Sequence, residues 1–150
     1  MNIMLITAGI CSLLAAALHL GCIVFGAAWY RFMGAGEQMA LWAEQGSLRP
    51  TVITSVIILV LTIWAIYAFS GAGLIRRLPA VKLVLLLVTG IYLFRAVAGF
   101  FFIQNPIGRS PEFWLWSSLI CLFVGVLHLL GTYKLYSAVP ASLILSEPVK

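Results

Sequence analysis

The chain has 150 residues, of which 63% are hydrophobic and 9% charged, with a formal net charge of +5. Water-facing domains carry roughly a quarter charged residues, so this composition excludes a soluble fold. The Lys and Arg residues lie scattered at the ends of apolar runs rather than gathered on one face, which excludes a nucleic-acid footprint as well.

A helical bilayer span takes about 20 apolar residues, and an open sheet in lipid would leave backbone groups unpaired. Four stretches are long enough, at 3–29, 52–74, 83–103 and 113–133. The sequence therefore predicts an all-α fold, an integral membrane four-helix transmembrane bundle that fills residues 1–150 as one domain. The first run is longer than the 7 to 15 residues usual for a signal-peptide core and no Lys or Arg precedes it, so it reads as a span rather than a cleaved leader. Within it His19 stands among small side chains, Ser12, Ala15, Ala16, Cys22 and Gly26, at helical spacings of three, four and seven. Small residues mark close helix approach, which predicts that His19 points into the bundle.

The first loop is the one long connection. After Gly34 and Gly36, segment 37–45 reads as a short amphipathic helix ended by Gly46, with Met39 and Trp42 on one face and Glu37 and Glu44 on another. It is placed in the outer interface or over the bundle mouth. Thr51, Thr54 and Ser55 line the outer part of the second span, which is followed by a tight loop carrying Arg76 and Arg77. Arg76, Arg77, Lys82, Lys134 and Lys150 on one side outnumber Arg31, Arg49 and Arg109 on the other. This puts the second loop, both termini and the short tail 134–150 in the cytoplasm and the first and third loops outside, as in a bacterial inner-membrane protein. Trp29, Tyr30, Trp42, Trp114 and Trp116 then form an outer aromatic belt, and Ser110, Pro111 and Glu112 open the fourth span.

Arg95, in the third span, is costly in hydrocarbon, about 2.5 to 3.5 kcal/mol at mid-helix, and needs a reason. By helical rise it lies roughly 12 Å below the outer end and His19 roughly 15 Å, so the two can share a layer. Tyr92 stands one turn before Arg95. Arg95, His19, Tyr92, Glu37, Thr54 and Trp42 are the candidate ligand-binding residues. They point to an outward-facing polar pocket for a lipid-like or small anionic ligand, with Arg95 as countercharge and the first-loop helix as lid, in a protein that binds or transports it. An accessory, assembly or immunity-type subunit packed against another membrane protein is the alternative, with Arg95 paired to an acid of that partner, and a membrane enzyme built on His19 is a second. Membrane lipids, a homodimer or a larger membrane-protein partner are the expected associations.

No catalytic set and no cofactor is expected: there is no Asp, no Glu inside a span and no phosphate loop. His19, Cys22 and Cys121 fall at similar depth and make a conceivable Cu(I) or Zn set, but no carboxylate or second histidine shares their layer. Bis-histidine haem would need His128 opposite His19, and His128 is roughly 7 to 8 Å deeper.

Overall fold

A computed structural model describes residues 1–104 and 108–137, and every element among them is helical. In chain order these are α1 Ile3–Phe25, α2 Ala27–Phe32, α3 Glu37–Glu44, α4 Arg49–Ala72, α5 Val81–Phe101 and α6 Pro111–Ser137. Helices α1, α4, α5 and α6 are each long and apolar enough to cross a bilayer, so the chain is a small multi-pass membrane protein. Lys150 and the tail beyond Ser137, read above as cytoplasmic, lie outside the described residues.

The first span ends earlier than its hydrophobicity implies. Gly26 adopts φ 68 and ψ −142, a backbone that a Cβ would oppose, and it stops α1 at Phe25 instead of at position 29. The chain turns off into α2, and the Trp29 ring folds back to stack on Phe25 at 4.7 Å and to pack against Gly21. Helices α4 and α6 instead start earlier than their apolar runs. Pro50 and Pro111 fit a first helical turn, where no amide donor is missed. At α6 the Ser110 hydroxyl accepts from the Phe113 amide at 3.3 Å.

Helix α1 packs chiefly on α4 and α5 on α6, and contacts of α1 with α6 and of α4 with α5 close a four-helix ring. In that ring α1 and α5 sit on a diagonal. The helices approach closely because glycines face large side chains: Leu5, fully buried, seats against Gly71 and Gly131, the Phe69 ring against Gly9, and Leu93 against Gly125. The outside is apolar, with Leu14, Leu59, Phe94 and Phe123 exposed as hydrocarbon-facing side chains.

Polar groups close the two ends. At one, the Asn2 amide side chain donates to the Gly131 carbonyl at 2.7 Å and the Asn2 backbone N–H to the Ala72 carbonyl at 3.3 Å, tying α1, α4 and α6 together. The other end is capped by α2 and α3, joined through Gly34 and Gly36 at φ 67 and 96. Cys22, Tyr30 and Ala40 form its small buried core, and the Tyr30 hydroxyl shares a 3.1 Å hydrogen bond with Thr54 on α4.

Candidate functional site

Beneath this cap lies a cavity of about 540 Å³. Ala35, Gly36, Glu37 and Gln38 form its roof, Arg95, Ala98 and Phe102 of α5 one wall, and Trp114 with Gly108 and Arg109 the other. Arg95 is six residues inside the end of α5, about 9 Å along the helix. Its Nη2 donates to Ser117 Oγ at 3.0 Å and its guanidinium lies over the Trp114 ring at 5.1 Å. The other terminal nitrogen, Nη1, is buried and has no acceptor among the described residues, and neither has the buried Trp114 Nε1.

Gly99 makes that arrangement fit. A methyl there would collide with Ser118 Oγ and stand a tight 3.1 Å from Arg95 Nη1, so the bare glycine lets the serine and the guanidinium pack closely between α5 and α6.

Arg109 supplies a second positive charge. It lies over the Phe113 ring at 4.6 Å and donates from Nη2 to the Ala35 carbonyl at 3.1 Å, which pins the roof to the start of α6. Burial and then the positive charge of Arg95 hold its guanidinium below its ordinary range. The carboxylate at the rim bonds neither of them. Glu37 accepts three bonds from Arg31, at 3.1, 3.0 and 2.6 Å, and Arg31 also holds Glu44 at 2.6 Å. That pairing keeps the Glu37 carboxyl below the usual carboxylate range, its largest cause being the hydrogen bonds from Arg31.

Of the six residues singled out from the sequence, Arg95 and Glu37 line this cavity and four do not. Glu37 is bonded to Arg31 and not to Arg95. His19 is half-exposed and donates from Nδ1 to the Ala15 carbonyl of its own helix at 2.7 Å. It turns onto its own helix while Arg95 turns to α6, since helical depth says nothing about rotation around the ring. Trp42 carries Arg49 over its ring at 5.5 Å, and Thr54 is buried against Tyr30. Tyr92 points to the bundle axis, where its hydroxyl shares a 3.1 Å bond with Ser12 and its ring stacks on His128 and meets the edge of Trp64.

His128, not His19, is the buried histidine, fully enclosed and with neither ring nitrogen hydrogen-bonded among the described residues. A haem shared by the two is sterically excluded. Gly131 of α6 meets Leu5 of antiparallel α1, which sets His128 level with Ala8, eleven residues or about 16 Å from His19. The suggested metal set is dispersed too: Cys22 Sγ faces the Trp29 carbonyl at 3.9 Å within the cap core, and no group of three His, Cys, Asp or Glu converges among the described residues.

Arg109, Trp114 and Ser117 were not singled out. A loop arginine beside a bilayer reads as a topology charge and an interfacial tryptophan as belt, and only the fold turns both toward Arg95. No protein-family model, curated protein or solved structure matches the chain.

Proposed function

We propose that the protein binds a small oxyanion, free or as the headgroup of a lipid, in the cavity between α5, the start of α6 and the α2–α3 cap, and that this site faces the outer leaflet. One observation carries the reading. Arg95 and Arg109 border one largely apolar cavity together with the Trp114 indole, and the donors Arg95 Nη1 and Trp114 Nε1 have no acceptor among the described residues. A buried donor without an acceptor costs about 1–3 kcal/mol and more when charged, so such a constellation favours a ligand that brings acceptors and negative charge. Arg95 is the fixed countercharge, Trp114 orients through its N–H, and Arg109 closes the site beneath the Ala35 carbonyl. Binding, with or without release to the other side, is the function this chemistry serves.

The test is thermal unfolding of the detergent-solubilised full chain in a constant chloride background with added inorganic phosphate, sulfate or acetate. A ligand that binds only the folded state raises the midpoint in proportion to the logarithm of its concentration over Kd. The anions should raise it and choline should not, and Arg95→Gln should remove most of the increment. An increment unchanged in Arg95→Gln would refute the assignment.

A further inference from the structure

Resting on that reading, we infer that the anion is the phosphodiester of a membrane lipid, entering sideways from the bilayer through a notch at Ala98. The first ground is the lipid-facing strip of α5. Phe94, Val97 and Phe101 stand 75%, 55% and 74% exposed, and Ala98 lies four residues after Phe94 and three before Phe101, on the same helical face. Ala98 is also a wall of the cavity. A side chain of one carbon between two outward phenylalanines thus leaves a lateral gap where cavity and hydrocarbon-facing surface meet.

The second ground is the wall chemistry. Glu37 and Gln38 lie at the roof, and the rest of the wall beyond the arginines is Ala35, Gly36, Ala98, Phe102, Gly108 and Trp114, a mostly apolar surface suited to a glycerol backbone and the first methylenes of an acyl chain. A free solute anion gains nothing from it. The arginine lies about 9 Å along the helix from the end of α5, where a headgroup drawn slightly below the interface would meet it.

Charge is the third ground. Arg95 and Arg109 face the cavity, Glu37 lines it, and Arg31 binds both Glu37 and Glu44. Three guanidiniums against two carboxylates leave one positive charge. A phosphodiester carries one negative charge and two unesterified oxygens, one for Arg95 Nη1 and one for Trp114 Nε1. A lipid with a neutral polar group beyond the phosphate matches that balance, whereas a choline headgroup would set a cation beside two arginines.

The experiment is native mass spectrometry of the full chain released from nanodiscs holding phosphatidylglycerol and phosphatidylcholine in equal amounts. Binding of dimethyl phosphate, a soluble phosphodiester, is followed in parallel by thermal shift. Wild type should retain one phosphatidylglycerol in clear preference to phosphatidylcholine. Ala98→Phe should cut that adduct at least about tenfold while its unfolding midpoint without ligand stays that of wild type, which shows that the variant is folded, and Arg95→Gln should lose both the adduct and the dimethyl phosphate shift. If dimethyl phosphate binds wild type but phosphatidylglycerol is not preferred, or if Ala98→Phe retains the adduct, the lipid inference is wrong and the anion site stands. If wild type binds neither, both fall.

Discussion

Arg95 is held by one neutral hydroxyl and one ring, which leaves part of its donor capacity turned into the cavity. Its fork geometry should therefore matter beyond its charge: Arg95→Lys keeps the charge but cannot reach Ser117 and the cavity together, and should weaken anion binding about tenfold in the thermal-shift titration. Equal binding by the lysine variant would show that charge alone suffices. Gly99→Ala should do comparable damage from outside the site, because its methyl collides with Ser118 and crowds Nη1. His128 makes the opposite case. Its ring nitrogens bond no described residue, so His128→Leu loses ring stacking on Tyr92 but no hydrogen bond to a described residue, and should change stability by less than about 1 kcal/mol. A loss several times larger in a denaturation midpoint would mean that the imidazole is partnered after all. Arg95 was legible in the sequence because a lone guanidinium in an apolar run is costly wherever it points. The contrast between His19 and His128 was not, since both sit in apolar runs and only the order of helices around the ring decides which is enclosed.

Among the elements, the α2–α3 cap was half legible. Gly34, Gly36 and Gly46 marked α3 to within a residue, and Glu37 and Glu44 were read on one face. What could not be read was Gly26, since a glycine within an apolar run passes as part of the helix until its φ is known, and with it went α2 and the seat of Arg31. The Arg31 clasp on Glu37 and Glu44 joins the two cap helices through exposed groups, so its contribution is modest. Because Glu37 titrates below its ordinary value when folded, that contribution is complete above the usual carboxylate pKa of about 4.3 and fades as pH falls through the lowered folded value. Hydrogen exchange over residues 37–44, corrected for intrinsic rates, should show protection at pH 6 that is still present at pH 5 and reduced at pH 3. Protection identical at all three would mean that the clasp does not hold the cap.

For the whole molecule, run length alone fixed four spans, because helical rise and bilayer thickness leave little choice. Which helices are neighbours was hidden, as glycine and alanine are frequent on every face and the partner of each is set by the fold. The sidedness proposed for the site rests on the distribution of basic residues and is a separate claim: in a background lacking Cys11, Cys22 and Cys121, a cysteine at exposed Gln38 should react with an impermeant reagent from outside, and one at Arg77 only after the membrane is opened. The reverse pattern would turn the site to the cytoplasm. The anion site itself is tested most directly by crystals of the full chain grown with selenate, whose selenium scatters anomalously. A peak within hydrogen-bonding distance of both Arg95 Nη1 and Trp114 Nε1 is predicted, and a cavity without such a peak, with Arg95 turned instead onto a protein carboxylate, would contradict the account.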